Sequence, residues 1–295
     1  MSTVESPASQ SDTAVSVPRP YVVASALTLV LAAAATLVGL FVPDFYRDAP
    51  ALVAQVYGQD ALTLVVALPV LAGSLSLARR GSQSGYVVWL GVTGYLLYTY
   101  ASYAFMTAFN ELYLVYVALF ALTLFTFVGG LLRLDTVTLR ERMGDHPVRA
   151  YVVFQMVVAV VVGGLWLSEI LPATVGGTVP VSIREMGVPV NVIHTLDLAV
   201  FLPGLVLSAY WLWRGDTRGY ALTGVLLVKA TTLGLAVLSM IVFMARDGQA
   251  IVLPQVAIFA AFSLAGLVLV GRFVTAIRRA PTPTTRTTQT SGEIR

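Results

Sequence analysis

The 295-residue chain is 57% hydrophobic and 11% charged, with no cysteine and two histidines. A soluble domain carries about 25% charged residues. The composition, with a mean hydropathy of +0.83, therefore excludes an ordinary soluble protein and points to an all-α, polytopic integral membrane protein. The lack of cysteine excludes disulfides, thiolate metal sites, iron–sulfur clusters and thiol catalysis. A net charge of +3 comes from arginines at the ends of apolar segments, so no nucleic-acid partner is expected.

In chain order, residues 1–18 carry Glu5 and Asp12 and lack the basic start of a signal peptide; they read as a disordered cytoplasmic tail. Eight apolar segments follow, at 21–42, 61–77, 86–107, 112–132, 150–171, 192–213, 220–244 and 251–274. Pro69 lies in the second and Pro203 in the sixth, and each is expected to kink its helix or loosen its hydrogen bonds. Asp60 reads as the start of the second segment, and Asn110 and Glu111 as the start of the fourth. The charged loop 135–149 links the fourth and fifth segments. The Thr/Pro-rich residues 277–295 read as a second disordered cytoplasmic tail.

Arginine placement orients the bundle. With the N-terminus cytoplasmic, that side holds Arg19, Arg79, Arg80, Arg133, Arg140, Arg142, Arg149, Arg214, Arg218, Arg272, Arg278, Arg279, Arg286 and Arg295. The other side holds only Arg47, Arg184 and Arg246. The expectation is a plasma-membrane protein with eight transmembrane helices and both termini cytoplasmic. Trp89, Trp211 and Trp213 are expected in the cytoplasmic interfacial belt, and Trp166 in the outer one.

The two halves resemble each other. Leu68-Pro69 precedes Gly85-Tyr86 by the same spacing that separates Leu202-Pro203 from Gly219-Tyr220. Arg19-Pro20-Tyr21-Val22-Val23 matches Arg149-Ala150-Tyr151-Val152-Val153 in character. Residues 19–134 and 150–276 are thus expected to be two parallel four-helix repeats, an arrangement some transporters use. In the Pro69/Pro203 register, Tyr95 falls on Lys229 and Asp60 on His194.

Lys229 is the only lysine in the chain and lies within an apolar run. An amine at that depth costs several kcal/mol, roughly 2.5–3.5 on insertion scales, unless partnered or hydrated. Ten residues past Gly219, it is about 15 Å from the cytoplasmic surface. Asp197, His194 and Glu169 are its candidate partners, and in a transporter Asp197 and Lys229 would be a charge pair that opens on protonation or substrate binding. Asn191, His194 and Asp197 share one helix face by their spacing of three. Tyr95, Thr99 and Ser102 form a polar stripe on the third segment, beside Tyr98. Glu111 and Gln255 enter from the outer side.

Lys229, Asp197, His194, Glu169, Glu111, Tyr95, Tyr98 and Gln255 are therefore the expected ligand- or proton-binding residues of an outward-opening polar pocket. The leading functional expectation is a transporter of a small solute or ion, with His194 titrating near neutral pH. No cofactor and no catalytic residue is assigned; the partners expected are the lipid bilayer and a small-molecule or ion ligand. Three alternatives stand beside it. One is a membrane enzyme or divalent-metal site from Glu111, Glu169, His194 and Asp197. Another is an aldehyde-binding protein using Lys229 as a Schiff base. The last is a non-catalytic subunit or sensor docking through loop 135–149. No motif here is specific enough to carry a family's known residues onto this chain.

Overall fold

A computed structural model describes residues 17–279, with ten helices and no strand among them. The expected disordered tails fall outside these residues except at 17–18 and 277–279, and the last three are helical. The helices are α1 (Arg19–Phe41), α2 (Pro50–Arg79), α3 (Gln83–Met106), α4 (Tyr113–Leu131), α5 (Thr136–Met143), α6 (Arg149–Val175), α7 (Val181–Met186), α8 (Val192–Trp213), α9 (Thr217–Arg246) and α10 (Leu253–Arg279). Seven of them, α1, α2, α4, α6, α8, α9 and α10, are long and apolar enough to cross a membrane. Leu114, Phe125 and Val160 on their outer surfaces are exposed as lipid-facing residues should be.

α3 is the exception in composition. Of its 24 residues, 19 are buried, including Tyr86, Trp89, Tyr95, Tyr98, Tyr100 and Tyr103. Enclosed by protein, it has no lipid-facing stripe to make apolar, and the hydroxyls of Tyr86, Tyr95, Tyr98 and Tyr103 find partners inside. Trp89 is accordingly not a belt residue. It is fully buried and donates to Ser25 Oγ at 3.0 Å. Trp213 remains exposed, and Trp211 lies under the Arg218 guanidinium at 4.7 Å.

α3 and α9 cross at the centre, and glycines set how closely. A side chain on Gly91 would strike Val228 and the Val225 carbonyl, and one on Gly224 would strike Val87 and Phe273. α2 crosses α9 at Gly58, which rests on the backbone of Ser239 and Met240.

α2 is longer than its apolar run suggested. Gln55, Gln59 and Asp60 resemble a turn in sequence, yet they lie within the helix, with Asp60 ten residues, about 15 Å, from its start. Gln59 and Asp60 are buried and hydrogen-bonded, which is what a helix needs to carry them inward. Asp60 is thus not the end cap the sequence suggested.

Pro69 and Pro203 each act on their helices in the same way. A π-helical segment, Thr63–Ala67 or Asp197–Phe201, immediately precedes a 12-residue α-helical stretch with proline in its first turn. Proline lacks an N–H and crowds the carbonyl four residues back; the wider π turn absorbs both defects without a break. The offset of 134 residues continues beyond the prolines. Gly81 and Gly215 take positive φ (83° and 72°) at the helix ends. Ser82 and Asp216 cap the next helices. Gly85 and Gly219 lie against Leu77–Ala78 and Trp211–Leu212.

Helix ends gather on two faces. On the arginine-rich face, Gln83 donates to the Asp135 carbonyl (3.1 Å), Thr136 meets Thr217 (3.1 Å) and Arg278 donates to Ser84 (3.2 Å). On the opposite face, Ala108 N–H donates to Asp48 (2.6 Å), Gln249 to the Pro50 carbonyl (3.0 Å), and Arg47 pairs with Glu111. Loop 135–149 contains α5, capped by Asp135 and packed against α9 and α10 through buried Leu139 and Met143.

Candidate functional site

A cavity inside the bundle lies in the half nearest the opposite face. It has a volume of about 160 Å³ and is lined from α2, α3, α6, α8, α9 and α10. Most of its wall is apolar: Leu52, Val56, Met106, Phe154, Val158, Phe201, Leu233, Met240, Phe259 and Phe262. Gln55, Gln59, Ser102, Thr107 and Gln255 supply hydrogen-bonding groups, and Tyr98, Trp166 and Asp197 converge at its inner end. Its size is that of cavities known to accept benzene, on the order of 150 Å³. The cavity is therefore mainly apolar where a polar pocket was expected, with polar groups concentrated at particular points.

Asp197 opens the π segment of α8 and is 3% exposed. One of its oxygens accepts from Tyr98 OH at 2.9 Å, and the other from Trp166 Nε1–H at 2.9 Å. Lys229 Nζ stands 3.2 Å from the Phe201 ring centroid and 4.0 Å from that of Tyr98. It has no hydrogen-bond partner. Among the described residues, ion pairs within 4.0 Å are limited to Arg47–Glu111 and Arg218–Asp216, both near helix ends. The expected Asp197–Lys229 pair is thus not formed. Both carboxylate oxygens already have donors, and two aromatic faces offer the amine its attraction instead. Tyr98→Phe keeps the ring over Lys229 but removes a donor to Asp197. It is expected to cost about 0.6–1.7 kcal/mol, the range for hydrogen bonds within membranes, read as a lower unfolding midpoint in detergent.

The other expected residues scatter. His194 is buried, its ring 4.6 Å from that of Trp166, and Nε2 has no partner. Gln255 lines the cavity from α10. Tyr95 is fully buried but lies off the cavity, within 3.2 Å of Gln59 Nε2 and 3.0 Å of Thr63 Oγ1. Glu169 does not reach Lys229. It accepts from Ser182 N–H at 2.8 Å and ties the end of α6 to α7. Glu111 is exposed and paired with Arg47, and its own backbone N–H, together with that guanidinium, holds its carboxyl below the usual range. No three His, Asp or Glu among the described residues are grouped to hold a metal ion, because Glu111 and Glu169 are committed elsewhere.

Trp166 was expected only as a belt residue, and Phe201 and Gln59 were not anticipated at all. A signal existed for Phe201, four residues after Asp197. The 134-residue offset also places Asp197 on Thr63 and Phe201 on Ala67. One half thus has Thr63 bonded to Tyr95 where the other has Asp197 and Lys229. The chain matches no protein-family model, no curated protein and no solved structure.

Proposed function

We propose that this is a multi-pass carrier of the plasma membrane. It is built from two parallel four-helix copies and moves a small solute through the cavity between them. The cavity carries this reading: it draws on both halves, is mainly apolar, and holds one buried carboxylate at its inner end. A solute with a compact apolar body and one hydrogen-bonding or charged end fits that chemistry. Matching π segments, prolines, glycine turns and caps at one offset support the duplication. α3 is the eighth crossing: 24 residues reach about 36 Å, beyond the roughly 30 Å hydrocarbon core. Among the described residues, twelve arginines on one side against Arg47, Arg184 and Arg246 on the other support cytoplasmic termini.

The test uses purified protein in lipid nanodiscs and in liposomes. Small aromatic and aliphatic amines, acids and alcohols are screened by thermal shift and by Trp166 fluorescence. A binder at a hundred times its Kd stabilises by about 2.7 kcal/mol. Ala230→Phe, which fills the cavity, is expected to abolish that shift and solute flux while leaving the fold intact. A library without a binder, together with flux no greater than in empty vesicles, refutes the reading.

A further inference from the structure

Asp60 forms a second site, separate from Asp197 and Lys229. It is 2% exposed and lies inside a membrane-spanning helix. Its oxygens accept from Tyr46 OH at 2.5 Å and Tyr103 OH at 2.9 Å. Tyr103 also approaches the Val56 carbonyl at 3.3 Å and forms part of the cavity wall. The ring of Tyr116 packs edge-on to Tyr103 and stacks with Tyr100, and the hydroxyls of Tyr100 and Tyr116 have no partner.

The titratable groups around Asp60 are phenols almost throughout: Tyr46 from the α1–α2 connection, Tyr95, Tyr100 and Tyr103 from α3, and Tyr116 from α4. Asp48 belongs to the same connection. Of the other helices packed on α2, α9 carries Lys229 and Arg246 and α7 carries Arg184 and Glu185, while α1 meets Asp60 at Gly39, far along the helix from Arg19 and Tyr21. No Lys, Arg or His nitrogen of the described residues lies within 4.0 Å of the carboxyl.

A charged carboxylate without a cation is expensive in this setting. The least costly occupant is a proton, which neutralises the group and adds no volume. Two phenols serve either state, donating to the carboxylate or accepting from the acid. At the same register the other half carries His194, also buried, with no partner at Nε2.

We propose that Asp60 is a proton-binding site that exchanges its proton with the cavity through Tyr103. A hydronium in the cavity gives a proton to the Tyr103 oxygen while the phenol's own proton passes to Asp60. Water, a neutral phenol and a neutral acid remain. The proposal rests on the carrier reading and names its coupling ion.

Infrared spectroscopy in lipid tests it without any solute. The wild type is expected to gain the carbonyl stretch of a protonated carboxylic acid as pH falls. Asp60→Asn should lose that band, Asp60→Glu should retain a titrating one, and Tyr103→Phe should shift its frequency by removing a hydrogen bond. In liposomes, flux driven by a pH gradient is expected to vanish in Asp60→Asn, while solute exchange without a gradient persists. A band that titrates identically in Asp60→Asn, or gradient-driven flux equal to wild type, overturns the proposal. A band that depends on Asp60 in a protein that moves no solute upholds the proton site and defeats the carrier reading alone.

Discussion

Asp197→Ala is expected to destabilise the folded bundle by roughly 2–5 kcal/mol, whereas Lys229→Met is expected to change stability by less than about 1 kcal/mol. The asymmetry follows from who bonds to whom. Removing the Asp197 carboxylate strands a buried donor, Tyr98 OH, and a half-buried one, Trp166 Nε1–H, and each unsatisfied buried group costs about 1–3 kcal/mol. Lys229 donates to nothing. Methionine keeps its length and its contact with Phe201 and Tyr98. The lost cation–π attraction, about 2 kcal/mol when desolvated, is offset by removing a charge from a dry site. The double mutant is expected to be the sum of the singles to within about 1 kcal/mol, the residue being the shared Tyr98. Equilibrium unfolding in mixed micelles measures all three. A double mutant more stable than Asp197→Ala by several kcal/mol would reveal an ion pair, since breaking one side of a buried pair costs about 3–5 kcal/mol.

Gly58→Ala is expected to cost roughly 1–3 kcal/mol or more, and Gly73→Ala to be neutral or to gain up to about 1 kcal/mol. Both glycines lie in α2 and both exchange a hydrogen for a methyl group. At Gly58 the new carbon would overlap the backbone of Ser239 and Met240, which no rotamer change relieves; overpacking of this kind carries that cost. At Gly73 nothing lies within 4 Å, so only the favourable change in helix propensity remains. Unfolding midpoints of the two variants under one set of conditions decide the matter. Equal effects would mean that α2 and α9 are not in contact at Gly58.

The apolar runs located the membrane helices because hydrophobic length is a local property of sequence. α2 exceeded its run because Gln59 and Asp60 are satisfied by Tyr46, Tyr95, Thr99 and Tyr103, all distant in the chain. The prolines signalled disruption, but the choice of a π turn over a kink depends on packing around the helix. At the site, Lys229 and Asp197 stood out because charge is conspicuous in an apolar run. Their separation was not legible, since it is decided by Trp166, Tyr98 and Phe201, which resemble ordinary core or belt residues. Glu111 and Glu169 were drawn in by depth alone, and local partners on the opposite face hold them away.

Gly85 and Gly219 determine which parts of this bundle are separate mechanical bodies. Each lies on the backbone at the end of the preceding helix, just past a tight glycine turn. α2 with α3, and α8 with α9, are therefore hinged rods locked near their elbows. Sliding one member alone would drive main chain into main chain. A change in the cavity that moves α2, α3, α8 or α9 therefore moves them as two blades, with the Gly91 crossing of α3 and α9 as their rivet.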